Sequence, residues 1–473
     1  MKKRLKIGCT LLVGTLLLSI IGLYNGYPLV YSDTGTYIRS GIEMIIPMDR
    51  PITYGLFIHF FSLGFSLWFV IIVQNFLTAY VLFEFMKLFD IKESSFSQFY
   101  LSVILFLVIF TGIGWYSNQL MPDFFTPIAA LTIFIILINK KITIPSLITL
   151  GIILVYSLIT HFSHLMIGTI LIIVILIIKL IMKERLMEIS FRKILLTGTI
   201  ILSGWLILPT INYLTDKEFA ISKGSHVFLM AHLADTGILE KFLKENCNNE
   251  EYSDCKLCQY KDNLPKDLSE FIWVSNILEN TGGWAGSKKE YNKIIRGTLT
   301  QPKYLLMNIY RSITYGFIQL TQNEIGQGLS AYNEGSAPHH NINIYYYNEM
   351  NNYLNSRQNK LDGIHLKHDK LNSVHLFLLI LSLFVVIIIL TSSFWKKIYS
   401  VSIIFLFFAL TVIVINSFIT AGLNSPCSRF EGRIVWLLPL AVILILVKNR
   451  DILFDYFFKK DGINSLIKRN DSQ

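Results

Sequence analysis

Charge is scarce in this chain. Of its 473 residues only 16% are Asp, Glu, Lys or Arg, against about 25% in an ordinary soluble domain. That shortage excludes both a water-soluble globule of the usual kind and a disordered chain. Strand-like alternation in segments of about ten residues is missing as well, which excludes a transmembrane barrel. Cysteine is sparse, five in all. "CKLC" has CxxC spacing, but no second CxxC or close His pair completes a zinc site beside it. No small-residue cleavage site follows the first apolar run in "SIIGLYNGYPLVYSD", so the basic start "MKKRLK" and the run after it read as a retained helix. A repeat of fixed period is absent, which weighs against a transporter built from repeats.

What the chain has instead is apolar length. Hydrophobic residues make up 53%, and runs such as "LMIGTILIIVILIIKLIM" from Leu165 and "VHLFLLILSLFVVIIIL" from Val374 approach the span of a bilayer core, about 20 residues. The expected fold is an all-α polytopic membrane protein with about ten transmembrane helices. They are placed near 6–24, 66–86, 98–115, 124–139, 144–160, 165–182, 194–213, 374–394, 399–421 and 434–448. Three parts follow: a membrane module over 1–213, a mainly helical extracytoplasmic domain over 214–373, and a module of three spans with a cytoplasmic tail over 374–473.

The net charge of +10 invites a nucleic-acid reading. Its location argues otherwise: Lys140-Lys141, "KERLMEISFRK" and Lys396-Lys397 all fall on one side if "MKKRLK" is cytoplasmic. That is the positive-inside pattern, so the basic balance reports topology. The expectation is a bacterial cytoplasmic membrane protein with both termini inside, a lipid partner and no nucleic-acid partner. Outside, an oxidising compartment favours disulfides. Cys247–Cys258 would close a tight loop, and Cys255–Cys427 could tie the domain to the last loop. Sequence does not choose among the three pairings of these four cysteines, nor does it remove the zinc alternative.

Polar residues collect at the outer ends of the spans. Asp33 follows the first, Asp49 and Arg50 precede a short helix expected over 51–62, and Asp123 opens the fourth. His161 and His164 follow the fifth span, and Arg429 and Arg433 precede the tenth. Each has a plain structural explanation: Asp caps a helix N-terminus and Arg snorkels to the interface. Together they gather on one side, and charges near a bilayer mark functional surface by default. Arg offers bidentate hydrogen bonds to phosphate, and a carboxylate can take a proton from a hydroxyl. Transfer from a polyprenyl-phosphate sugar would need both, and so would a transporter, flippase or polymerase-like handler of lipid-linked saccharides. The near absence of charges inside the spans favours the first.

The order of these motifs resembles the GT-C superfamily of integral membrane glycosyltransferases, such as protein mannosyltransferases and aminoarabinose transferases. Asp33 in "YSDTGTYI" sits where that family carries its catalytic carboxylate. "DRPITYGLFIHFFSLGFSLW", with Asp49, Arg50 and Tyr54, looks like its juxtamembrane Pro-Pro-Leu-Tyr helix, and "LMPDFFTPIAALTIFIIL" like the segment bearing an outward-facing Asp, here Asp123. The resemblance covers about the first 140 residues. It implies inverting transfer from a polyprenyl-phosphate sugar to a glycan, lipid or protein acceptor. Asp33 would act as general base, with Arg50, Arg429 or Arg433 on the leaving phosphate. His161 and His164 would orient that phosphate or bind a divalent metal.

Overall fold

The computed structural model describes residues 2–181, 189–360, 368–391 and 400–450. The basic cluster at Lys396-Lys397, most of "KERLMEISFRK" and the tail beyond residue 450 lie outside the described residues. Among those described the chain is helical throughout and forms no strand, only an isolated bridge between Leu29 and Gln119.

Every expected span falls on a helix. Helix α1 (Lys2–Leu18) runs through Ser19, whose N–H still donates to the Thr15 carbonyl, into α2 (Ile20–Asn25). After α3 (Thr34–Glu43) and α4 (Thr53–Ser62) come α5 (Leu67–Met86), α6 (Glu93–Phe110), α7 (Phe125–Ile138) and α8 (Ile144–Ile159). The module closes with α9 (Phe162–Ile181) and α10 (Phe191–Asp216). Seven helices are long and apolar enough to cross a membrane: Leu67–Phe89, Glu93–Phe110, Phe162–Ile181, Phe191–Asp216, Asp369–Thr391, Val401–Leu423 and Ser428–Lys448. The remaining three of the ten expected segments fall on shorter helices. At 1.5 Å per residue, α7 with its 14 residues covers only about 21 Å, less than a bilayer core. All of its residues are buried by protein, so it runs through the centre of the bundle. By contrast Asp369–Thr391 exposes Phe377, Ile380, Phe384 and Ile387 by more than half, a surface that needs lipid.

Glycine sets one crossing that matters below. A Cβ on Gly41 of α3 would lie 1.9 Å from the Gly55 carbonyl oxygen of α4, so these two short helices touch backbone to backbone. Their contact lays the segments around Asp33 and Arg50 against each other.

The segment expected as an outer domain has two destinations. Helices α11 (Ser225–Asp235), α12 (Ile238–Asn246), α13 (Lys288–Thr300) and the start of α14 (Pro302–Thr321) share their own core, from Val227 to Tyr304. Cys247 and Cys258 are bridged there, with Cα atoms 5.8 Å apart. The second bridge considered, Cys255–Cys427, does not form: Cys255 is a free thiol packed in that core, while Cys427 is free just before the short helix Ser428–Gly432. The polar, Gly-interrupted, Asn- and Tyr-rich stretch over 325–360 reads as a long loop, but its main non-helical parts are the coil from Gln322 to Ser336 and the turns over 355–360. Ser336 then caps α15 (Ala337–Tyr345), and Ile342, Tyr346 and Tyr353 enter the main core. Buried Glu349 fastens this strap by accepting from Tyr27 Oη at 2.8 Å and Ser66 Oγ at 2.5 Å. The chain ends in α16 (Asp369–Thr391), α17 (Ser400–Leu423), the short α18 (Ser428–Gly432) and α19 (Leu437–Lys448).

Candidate functional site

Asp33 stands at the N-terminus of α3, yet its side chain makes no capping bond to that helix. Its backbone is already helical there (φ −73°, ψ −20°), whereas a capping residue is usually extended. The carboxylate turns instead to two arginines. Arg50 Nη2 lies 3.1 Å from Asp33 Oδ1, and Arg429 Nη1 lies 3.4 Å from Oδ2. Arg50 is held from behind by Asp49, which accepts from Nε at 2.9 Å and also from Nη2. Asp49 is therefore a fixed partner of Arg50 rather than a helix cap.

Aromatic rings fix both guanidiniums. Arg50 lies over Tyr37 at 5.0 Å, and Arg429 over Tyr31 at 4.6 Å and Phe430 at 5.1 Å. Tyr54, expected at the site, stands one layer back. Its ring meets Tyr37 edge-on at 5.0 Å, and its hydroxyl donates to Gln74 Oε1 at 2.5 Å. It supports the ring under Arg50 and touches no charged group of the site.

The cluster continues inward. Asp123 Oδ1 lies 3.7 Å from Arg429 Nε and 3.2 Å from Arg433 Nη1. Arg433 Nη2 donates to Asn416 Oδ1 at 3.1 Å. Asp33, Asp49, Arg50, Asp123, Arg429 and Arg433 thus form one connected chain of ion pairs, although they come from four separate parts of the sequence. Arg433 is fully buried and Asp123 only 2% exposed, whereas the Asp33 side chain is 26% exposed. Arg433 is placed to hold Asp123 and not to meet a ligand, which removes it from the expected phosphate contacts.

The two histidines part company. His164 is closed off: Nδ1 donates to the Ser157 carbonyl at 2.9 Å, so Nε2 accepts from Thr126 Oγ1 at 2.7 Å. Neither nitrogen is left for a phosphate or a metal. His161 accepts from the Ser163 N–H at Nδ1, 3.2 Å away, so its neutral ring carries the proton on Nε2. Burial, then Arg433, Arg429 and Arg50, push His161 well below the ordinary imidazole range. It stays neutral at physiological pH. Among the described residues no group of three or more His, Cys, Asp or Glu stands together to hold a metal ion.

For Asp33, burial raises the carboxyl, but Arg50 and Arg429 outweigh it and hold the group below the usual carboxylate range. It is ionised and a weak base while both arginines remain in place. Over it lies the Gln322–Ser336 coil. Gln327 Oε1 accepts from the Arg429 backbone N–H at 2.8 Å. Gly328 (φ 76°) passes so near that a Cβ would sit 1.8 Å from the Tyr31 ring.

Two residues of this region escape a sequence reading. Glu431 is wholly buried, with Oε2 accepting from Ser417 Oγ at 2.6 Å and Asn416 Nδ2 at 3.1 Å. Asn416 links it to Arg433. An acid within "SRFEGRIVWLLPL" is visible in the sequence, and its cost in an apolar helix is the signal that could have marked it; Asn416 offers no such signal. Compared with protein-family models, characterised proteins and solved structures, the chain matches none.

Chemically, the site offers two guanidiniums turned to one partly exposed carboxylate, at the ends of apolar helices. It can exchange that carboxylate for a phosphate oxygen, and it can accept a proton once an arginine is drawn away.

Proposed function

We propose that this protein is a glycosyltransferase of the GT-C kind that its first 140 residues resemble. It moves a sugar from a polyprenyl-phosphate donor to a hydroxyl of a cell-envelope acceptor, at the outer face of a bacterial cytoplasmic membrane. One observation carries the reading: Asp33 is held between Arg50 and Arg429 where the apolar helices end, so a lipid-borne phosphate and a carboxylate base would share the same two cations. In the reaction the acceptor O–H gives its proton to an Asp33 oxygen as its own oxygen bonds the sugar's anomeric carbon. The bond from that carbon to the phosphate oxygen breaks, and the electron pair leaves with the lipid phosphate. Arg429 and Arg50 stabilise the charge that builds there. The donor also prepares its own base: as its phosphate draws Arg429 away, Asp33 loses a stabilising cation and becomes more basic. Nε2–H of His161 supplies a further donor at the rear.

A transporter of the same lipid draws on a different observation, the ion-pair chain that runs inward from Asp33 through Asp123 and Arg433 to Asn416 and Glu431. Buried ionisable groups often line a pathway. The experiment that separates the two uses the protein in liposomes with radiolabelled polyprenyl-phosphate sugars and envelope extracts as acceptors. Transfer releases free polyprenyl phosphate, and Asp33→Asn abolishes that release without changing insertion. Movement of intact donor across the bilayer with no release, or full release by Asp33→Asn, would sink the glycosyltransferase reading.

A further inference from the structure

Helix α14 presents a face that the other described residues leave uncovered. Leu306 and Tyr310 (each 66% exposed), Ile313 (46%) and Phe317 (61%) stand on one stripe, with Ile309 beside it. The opposite face is packed: Tyr304 enters the Val227–Tyr304 core, and Gly316 and Gln319 are buried. The helix carries only Lys303 and Arg311 as charges, and it is not among the seven candidate spans.

Its neighbour settles what kind of surface this is. Helix α14 packs along α17, a candidate span. A Cβ on Gly316 would sit 2.6 Å from the Phe418 ring, and Phe317 meets the same ring at 5.4 Å between centroids. Ser312 lies level with Gly422, 4.0 Å from where its Cβ would stand. With 1.5 Å per residue, Phe418 lies about 8 Å inside the Leu423 end of α17, and Leu306 about 9 Å beyond Ser312. The headgroup layer adds roughly 5–8 Å outside the hydrocarbon on each side. With the Leu423 end of α17 taken as the edge of the hydrocarbon, Phe317 and Ile313 would be level with acyl chains, Tyr310 with the headgroups where tyrosine is favoured, and Leu306 with the outer edge of that layer.

We infer, independently of the transfer reaction, that α14 dips obliquely into the leaflet on the side of the Asp33 cluster, and that bilayer lipid covers its Ile313–Phe317 face. Helix α17, against which α14 packs, also exposes apolar side chains, Phe407 and Val414. The inserted end is also tied to the site. Gln319 clasps both backbone groups of Cys427, each at 2.9 Å, two residues before Arg429. Helix α14 thus joins the Val227–Tyr304 core, the membrane and the loop that bears Arg429.

The test is spin-label accessibility in phosphatidylethanolamine/phosphatidylglycerol vesicles. Single cysteines replace Leu306, Ile313 or Phe317 in the full chain, with Cys9, Cys255 and Cys427 changed to Ala. Collisions favouring oxygen over a water-soluble nickel chelate at 313 and 317, with the preference reversed at 306, are expected. Should Phe317→Cys fail to fold, Ile313→Cys carries the same expectation. Labels at 313 and 317 that favour the nickel chelate would overturn insertion. Shielding from both reagents, with dipolar broadening between labels, would overturn it in favour of a second copy of the chain.

Discussion

Asp123→Asn should be among the most damaging single-atom changes in this protein, and the reason is what it leaves behind. Arg433 is fully buried, with Nη1 3.2 Å from Asp123 Oδ1. At that distance, and with an effective dielectric of about 20, the pair attracts by about 5 kcal/mol. Much of that is offset by the cost of burying two charges, so the pair as a whole adds little. Removing one partner is another matter, because the guanidinium stays buried with only Asn416 and a weak approach to Ser163. The expected loss is about 3–5 kcal/mol. Arg433→Met alone should cost less, because Asp123 keeps Arg429 Nε at 3.7 Å as a partner. The double variant Asp123→Asn/Arg433→Met should cost much less than the two singles combined, since neither charge remains. Equilibrium unfolding of the purified protein by SDS in mixed micelles measures all four corners of this cycle. A loss below about 1 kcal/mol for Asp123→Asn, or singles that add within about 0.5 kcal/mol, would refute the account of a coupled buried pair.

Asp33 is depressed in the folded protein, so its ion pairs contribute stability above the unfolded carboxylate value of about 3.9. That contribution fades as pH falls through the lower folded value. Wild type should therefore exceed Asp33→Asn in unfolding resistance at pH 6 and lose that advantage below about pH 4; an advantage that vanishes near pH 6 instead would contradict the assigned direction. Replacing Cys247 and Cys258 by Ser opens a loop with a sequence separation of 11; the unfolded chain regains entropy and about 3 kcal/mol of stability is lost, read as faster proteolysis within residues 225–304 while the span helices stay protected. Gly41→Ala drives a methyl into the Gly55 carbonyl, and should cost about 1–3 kcal/mol through overpacking and loosen the Asp33–Arg50 contact. Gly8→Ala, with open space around it, is the control, and equal effects at the two glycines would deny the close crossing.

Apolar length was the legible part of this sequence, because a run too hydrophobic for water can be little else than a membrane or core helix. Length alone could not tell that Phe125–Ile138, as apolar as its neighbours, is enclosed by protein on every side. The gathering of Asp33, Arg50, Asp123 and Arg429 was legible too, since all four stand at helix ends on one side and oppositely charged groups near lipid seek each other. What each one does was not. Arg429 and Arg433 are four residues apart and chemically alike, and only the packing of α18 separates the partly exposed partner of Asp33 from the fully buried brace. His161 and His164 divide in the same way, by which carbonyl or amide lies within reach. The Asn- and Tyr-rich stretch looked like a loop because its polar residues cannot form a core alone. Its tyrosines are buried by borrowing the main core, with Glu349 bonded to residues more than 280 positions earlier.

The linked cluster holds as many carboxylates as guanidiniums, Asp33, Asp49 and Asp123 against Arg50, Arg429 and Arg433. Such a balanced set casts almost no field beyond its own diameter. An anionic headgroup drifting in the leaflet would feel no pull until it touched the site, and its arrival would depend little on ionic strength. Discrimination is thereby moved from approach to exchange. On the proposed function, a ligand would gain entry only by offering Arg429 and Arg50 a better partner than the carboxylate they already hold, so stray anions that bind more weakly than Asp33 would leave the site as it was.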